Sequence, residues 1–154
     1  MGSYVDSTLL KDERIVFETR LHGIIYLPGI LLMAAGAFFG AVLLSVGAPV
    51  NSGVGVLIVV SIGALFFLSA LIRRATSEFA VTDKRVIIKL GWLSRRTIEM
   101  NLSKVESVDV FQGIVGRMLG YGRIVVVGTG ATREPFKEIT NPMEFRRAVQ
   151  SQST

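Results

Sequence analysis

The clearest feature of the hydrophobic pattern is a long run without charge. No Asp, Glu, Lys or Arg occurs from Leu21 to Ile72. The turn-forming residues of Gly47–Gly53 divide this run into two apolar segments, Ile24–Val46 and Val54–Ile72. As an α-helix rising ~1.5 Å per residue, each segment is long enough to cross a hydrocarbon core of about 30 Å. We therefore expect a transmembrane helical hairpin in a membrane protein, because a water-soluble domain cannot bury such a run.

The rest of the chain alternates between apolar and polar residues at the period of a β-strand. One strand is predicted before the apolar run, at Arg14–Leu21. Six more are predicted after it, at Ser77–Thr82, Arg85–Leu90, Arg95–Met100, Lys104–Phe111, Arg123–Gly128 and Thr132–Ile139.

The period changes again near the carboxyl end of the sequence. Asn141 is a capping residue followed by Pro and, three positions after the cap, by Glu. Phe145, Ala148 and Val149 then share one helical face, so Asn141–Gln150 is predicted to be a short amphipathic helix. The count is thus seven strands and one closing helix.

These elements suggest three segments. Residues 1–21 form an amino-terminal segment with the first strand, residues 22–74 the hairpin, and residues 75–154 a small β domain. Arg20 flanks the first apolar segment and Arg73 and Arg74 follow the second, whereas the loop between the segments has no basic residue. The positive-inside rule then predicts a multi-pass protein of the cell (inner) membrane with both termini in the cytoplasm.

Composition narrows the possible functions. The chain has 17 Lys and Arg against 12 Asp and Glu, one His and no Cys. Without Cys, the chain has no Cys-based zinc site and no thiol nucleophile. The single His, close to the start of the first apolar segment, is not expected to belong to a Ser–His–Asp triad or to an ordinary zinc site. We expect no catalytic residues, no metal and no cofactor, and we expect the lipid bilayer rather than nucleic acid as a partner.

Small residues in the first span predict a close helix contact. Gly36 and Gly40 have the GxxxG spacing that lets two helix backbones approach each other. This face packs either against the second span of the same hairpin or against a second copy of the chain, as a homo-oligomer.

Basic residues on the cytoplasmic side are candidates for contacts with lipid or protein. Arg73 and Arg74 serve as anchors of the second span, and they also have the charge to pair with anionic headgroups. A predicted β-hairpin carries Lys89, Trp92, Arg95 and Arg96. Its Trp either enters the membrane interface or packs against the domain while the basic residues are solvated.

A glycine-rich stretch, Gly113–Gly122, is neither a clean strand nor a clean helix. It predicts a tight loop in which the four apolar residues Ile114, Val115, Met118 and Leu119 form one turn. Arg117 in this loop either binds an anion with nearby backbone N–H groups or belongs to a structural corner.

Several motifs resemble the bacterial PH-like domain of YdbS-type membrane proteins. They are Val81-Thr82-Asp83-Lys84-Arg85, Gly91-Trp92-Leu93-Ser94-Arg95-Arg96-Thr97, Leu102–Val110 and Leu119-Gly120-Tyr121-Gly122. The resemblance implies an α+β membrane protein that combines the hairpin with a PH-like seven-stranded β barrel or sandwich and a carboxy-terminal helix. It carries over no catalytic residues. The hairpin replaces the basic loop with which eukaryotic PH domains often bind phosphoinositides.

We therefore expect a membrane-anchored binding or scaffold module at the cytoplasmic face. Its partner would be a membrane or cytoplasmic protein or an anionic lipid. The alternative is a subunit of an oligomeric transporter or channel, although the uncharged spans offer no ionisable group for a transport path.

Overall fold

The computed structural model describes residues 3–91, 96–129 and 132–152, which divide into two compact units. One unit is a helical hairpin, Gly23–Ile72. The other unit combines the chain up to His22 with the chain from Arg73 onward, and it contains all the described strands. The β unit is thus assembled from two segments that the hairpin separates in sequence.

The elements follow one another in this order. They are α1 (Ser3–Thr8), β1 (Ile15–Thr19), a 3₁₀ turn (Gly23–Tyr26), α2 (Leu27–Ser45), α3 (Ser52–Ala75), β2 (Glu78–Thr82), β3 (Arg85–Leu90), β4 (Arg96–Asn101), a second 3₁₀ turn (Leu102–Lys104), β5 (Val105–Phe111), α4 (Ile114–Leu119), β6 (Tyr121–Gly128), β7 (Thr132–Thr140) and α5 (Pro142–Gln152).

The two predicted apolar segments are helical. Gly23–Ser45 and Ser52–Ala75 are long and apolar enough to cross a membrane, by length and composition. The second helix continues through Arg73 and Arg74, whose positive charges complement the negative end of the helix dipole.

The hairpin helices meet through glycines. A Cβ added at Gly29 would lie 2.6 Å from the backbone nitrogen of Phe67, and one added at Gly63 would lie 2.8 Å from that of Met33. Only glycine permits so close an approach of two backbones. At Gly29 and Gly63 the backbones of the two helices therefore approach each other closely, and neither glycine was predicted to do so from the sequence.

The GxxxG pair lies on the same interface. A Cβ at Gly36 would lie 2.6 Å from Val60 Cγ2, and one at Gly40 would lie 3.2 Å from Val56 Cγ1. The small-residue face of α2 thus packs against α3 of the same chain.

The seven strands form two antiparallel sheets, ordered β1-β2-β3-β4 and β5-β6-β7. Phe79 of the first sheet and Phe136 of the second meet edge to face, with ring centroids 5.8 Å apart, in the core between the sheets. Outside the named strands, the described residues form an isolated bridge between Leu21 and Ile139. The count of seven strands is confirmed, but the expected alternative of a closed barrel is wrong, because the strand pairing is not continuous between the sheets.

Helix α5 covers the core on the side of β1 and β5. Phe145 is fully buried, and its ring meets that of Phe17 edge to face at 6.5 Å. The helix begins at Pro142, where the N–H groups of Glu144 and Phe145 donate to the carbonyl of Asn141. The predicted closing helix is thus present, and it extends two residues farther than Gln150.

The amino-terminal helix α1 was not predicted from the sequence. Val5 packs with Ala80 and Ile87, on the sheet face opposite to Phe79. The backbone N–H groups of Tyr4 and Val5 donate to the carboxylate of Glu78 at 3.2 and 3.1 Å. Since both faces of β2 are covered, all five of its residues are buried.

A buried ion pair fastens the segment between α1 and β1 to the sheet. Arg85 donates from Nε and Nη2 to the two carboxylate oxygens of Glu13, each at 2.9 Å. Burial raises the pKa of Glu13, but hydrogen bonds from Arg85, from the N–H of Leu10 and from Thr82 together hold that pKa below its usual value of 4.5. The folded protein therefore favours the ionised carboxylate.

Replacing Glu13 with Gln is expected to lower the free energy of unfolding by about 1–3 kcal/mol. The ionised Glu13 contributes its full stabilisation of the folded protein above the pKa it has in the unfolded chain, near 4.5. This stabilisation is lost as the pH falls through the lower pKa of the folded state. The measurement is thermal unfolding in detergent between pH 3 and 7, a range of about two units around the unfolded-state pKa. The stability of the wild type should fall more steeply with decreasing pH than that of E13Q. The exposed Glu106→Gln change is the control, and an E13Q profile as steep as the wild type would contradict this assignment.

Replacing Gly29 with Ala is expected to destabilise the hairpin by about 1–3 kcal/mol, because the new methyl group meets the backbone of α3. Gly55→Ala is a matched control, since a Cβ at Gly55 meets nothing within 4 Å. The measurement is the midpoint of loss of helical circular dichroism in detergent. Equal midpoints for G29A and G55A would argue against the close contact.

Candidate functional site

A groove of about 400 Å³ lies within the β unit where the two sheets part. It is close to the residues at which the chain leaves and re-enters this unit. Its lining is Leu21, Arg73, Ser77, Phe79, Leu90, Gly91, Pro135, Phe136 and Lys137. The walls are thus largely apolar, with two basic side chains among the lining residues.

The walls come from distant parts of the chain. Phe79 and Phe136 belong to β2 and β7, and both are at least 96% buried because they also form the core. Leu21 is brought to the groove by its bridge to Ile139. Pro135 lies in β7, an edge strand of its sheet, which is where proline is usually found in sheets.

Arg73 and Lys137 supply the positive charge of the groove. Arg73 lies in the last turn of α3, and Lys137 follows Phe136 in β7; both side chains are exposed. The Ser77 hydroxyl donates to the carbonyl of Arg73 at 2.7 Å, which fixes the backbone at this position. Two exposed cations beside an apolar cleft favour a ligand that is both anionic and apolar.

Arg74 forms a hydrogen bond between the two chain segments of the β unit. Its Nε donates to the carbonyl of Leu21 at 3.0 Å, and so it joins the chain segment that leaves the unit to the segment that returns. Arg74, predicted as a binding residue, thus stabilises the fold through this hydrogen bond, next to Arg73 in the last turn of α3.

Lys89 is engaged within the β unit. Its ammonium group lies 3.2 Å from the Glu78 carboxylate and 4.9 Å from the centroid of the Tyr4 ring. Its side chain is only 13% exposed. This geometry gives Lys89 a role in fastening α1 to the sheet.

Arg96 forms an ion pair between the two sheets. Its Nη2 donates to both carboxylate oxygens of Glu134, at 2.9 and 2.8 Å, and thereby joins β4 to β7. The other two members of the predicted basic hairpin, Trp92 and Arg95, lie outside the described residues.

Among the described residues, the structure therefore does not bring the predicted basic side chains into one site. Arg73 lines the groove, whereas Lys89 and Arg96 form ion pairs on other elements, and Arg117 is exposed on α4. Lys137 was missed, because its proximity to Arg73 depends on how the two sheets pack. The alternation of Thr132–Ile139 could have predicted that Lys137 is exposed, but not that it lines a groove together with Arg73.

Comparison with known proteins identifies the family. The family model described as "Bacterial PH domain" matches residues 23–153, which is most of the chain. This chain belongs to the bacterial PH domain family. The expected resemblance is confirmed at that level, whereas the narrower assignment to YdbS-type proteins stays a prediction.

One solved structure similar to this bacterial PH domain protein is the crystal structure of a DUF1696 family protein with a pleckstrin-homology domain from Shewanella loihica PV-4. The two chains are 13% identical over 53% of this chain and 74% of the other, with a TM-score of 0.42. No curated protein matches the chain significantly. Family membership supports a binding or scaffold module in general terms.

Proposed function

We propose that this protein is a membrane-anchored binding module that takes an anionic lipid in the groove between its two sheets. The observation that carries the proposal is the composition of the groove. Its apolar walls and its two cations, Arg73 and Lys137, match an acyl chain and an anionic headgroup.

The hairpin supports the membrane anchor through its exposed surface. Phe38, Leu44, Leu57 and Leu65 are each at least 66% exposed, and only 11% of the apolar stretch of either helix is buried. Water would strongly disfavour so large an apolar surface, whereas the hydrocarbon core of a bilayer solvates it.

The distribution of basic residues supports a cytoplasmic β unit. Arg20 precedes the hairpin and Arg73 and Arg74 end it, while the loop between the helices carries no charge. Under the positive-inside rule, both ends of the hairpin then face the cytoplasm. Arg73 would lie at the level of the anionic headgroups of the inner leaflet.

An anionic lipid suits this position better than a water-soluble ligand does. The groove is lined by Arg73, which directly follows the hairpin unit in sequence, and by Leu21, which lies two residues before that unit begins. A lipid of the adjacent leaflet would reach it at high local concentration, so even a modest intrinsic affinity would suffice.

The alternative of a transporter or channel subunit has less support. The small-residue face of α2, including Gly36, already packs against α3 within the hairpin. The described hairpin also contains no charged side chain to line a path for ions. We likewise propose a non-enzymatic role, because the groove combines cations and apolar walls without a nucleophile–base pair.

The membrane topology has a direct test, because the chain has no native cysteine. Asn51→Cys labels the connection between α2 and α3, and Ser103→Cys labels an exposed turn of the β unit. In intact bacterial cells, a membrane-impermeant maleimide is expected to modify residue 51 but to reach residue 103 only after lysis. Labelling of residue 103 in intact cells would contradict the proposed orientation.

Lipid binding in the groove is tested with the double variant R73Q/K137Q of the full chain. Because each cation near an anionic headgroup contributes roughly fivefold in affinity, we expect the double variant to lose about thirtyfold in affinity for phosphatidylglycerol. Native mass spectrometry from detergent, with phosphatidylcholine as the reference lipid, measures this change.

The control for the groove is K104Q/R147Q, which removes two exposed cations from other elements. It is expected to bind phosphatidylglycerol like the wild type. If both double variants lose the same affinity, the binding reflects general charge. If neither variant loses affinity, the groove does not bind anionic lipid, and a protein partner becomes the better proposal.

A further inference from the structure

The short helix α4 carries a dense apolar surface outside the core. Ile114 and Met118 are 82% and 81% exposed, and Val115 and Leu119 are at least half exposed. Phe111, at the end of the preceding strand, is also 57% exposed. Soluble surfaces seldom concentrate so many large apolar side chains, and where they do, the patch commonly contacts another molecule or a membrane.

The apolar surface is held in place by the opposite side of α4. A Cβ added at Gly116 would lie 2.6 Å from the carbonyl oxygen of Tyr121, so α4 packs tightly on the start of β6. The side-chain amide of Gln112 donates to the same carbonyl at 3.0 Å. Gly120 ends the helix in the left-handed conformation, with φ of 75°. The side chains of Ile114 and Met118 are thus presented outward by a well-fastened turn.

The helix lies at the end of the β unit from which the hairpin emerges. The ring of Tyr121 stacks on that of His22, with centroids 5.1 Å apart, and His22 directly precedes the hairpin unit. Beside it, the N–H of Asn141 donates to the carbonyl of Gly120, and the N–H of Thr140 donates to that of Arg20. Within the β unit, direct contacts therefore link the start of β6, on which α4 packs, to His22, the last residue before the hairpin unit.

We propose that α4 is a second membrane contact, which inserts Ile114, Val115, Met118 and Leu119 into the interface of the leaflet that the hairpin enters. The inference rests on the proposed membrane insertion of the hairpin. A lipid surface is the occupant because the last residue before the hairpin, His22, stacks on the residue that supports α4. Transfer of an apolar turn from water to the membrane interface is favourable in free energy.

Charge at the edge of the patch supports the same occupant. Arg117 is exposed on α4 itself, and Arg123 is exposed on β6 opposite Phe111 in the strand pairing. Basic side chains beside an inserted apolar surface pair with anionic headgroups while their stems remain in the apolar layer. The patch is therefore suited to an anionic leaflet.

Insertion is tested on the full chain in vesicles by a single environment-sensitive fluorophore. Met118→Cys places the probe on α4, and Ser103→Cys places it beyond the opposite end of β5, about 23 Å of strand away. Leu57→Cys places it on the exposed surface of α3. The vesicles are phosphatidylcholine alone or an equal mixture with phosphatidylglycerol, each with a nitroxide quencher on the acyl chain.

We expect blue-shifted emission and several-fold quenching at residues 118 and 57, and neither change at residue 103. Quenching at 57 without quenching at 118 would overturn the α4 contact and leave the hairpin anchor intact. No quenching at 57 would overturn the anchor itself. A blue shift at 118 without lipid quenching would show that protein covers the patch, for example a second copy, and would also overturn the inference.

The headgroup contribution is tested by adding R117Q/R123Q to the residue 118 probe. This variant is expected to lose the extra quenching that phosphatidylglycerol gives over phosphatidylcholine alone. R147Q, on the exposed side of α5, is the control and is expected to retain it. Equal loss in both variants would overturn the assignment of Arg117 and Arg123 to headgroup binding.

Discussion

The structure depends on the pairing of β1 with β2, two neighbouring strands that lie on opposite sides of the hairpin in sequence. Thr19 pairs with Phe79, and Glu18 pairs with Ala80. Closing so long a connection would be costly in entropy for a flexible chain. Here the glycine contacts between α2 and α3 fold the connection on itself, and the Arg74–Leu21 hydrogen bond fastens its two ends.

This arrangement concentrates the functional features at one end of the β unit. Leu21 and Arg73 line the groove, and His22 supports the residue on which α4 packs. The face of the first sheet opposite to Phe79 is covered by α1 and carries the Glu78–Lys89 ion pair. Lys89 therefore contributes to the stability of the fold. The proposed lipid contacts thus follow from where the chain leaves and re-enters the sheet.

Local patterns predicted the elements more reliably than their contacts. The strand at Arg85–Leu90 has the predicted bounds, because Val86, Ile88 and Leu90 alternate along it on one face. Helix α1 was missed because it is short and is stabilised by Glu78 and the sheet, far away in sequence. The groove was missed for the same reason, since Arg73 and Lys137 are far apart in sequence and line one groove only in the folded β unit.

The most direct measurement of the central pairing is a disulfide between β1 and β2 in the full chain. Glu18→Cys with Ala80→Cys is expected to form a disulfide under mild oxidation, because the two positions are direct neighbours in the sheet. Ser107→Cys with Val127→Cys, paired between β5 and β6, is the positive control. Efficient oxidation of the control without a bond between residues 18 and 80 would show that the first strand lies apart from the sheet, and the account would fail.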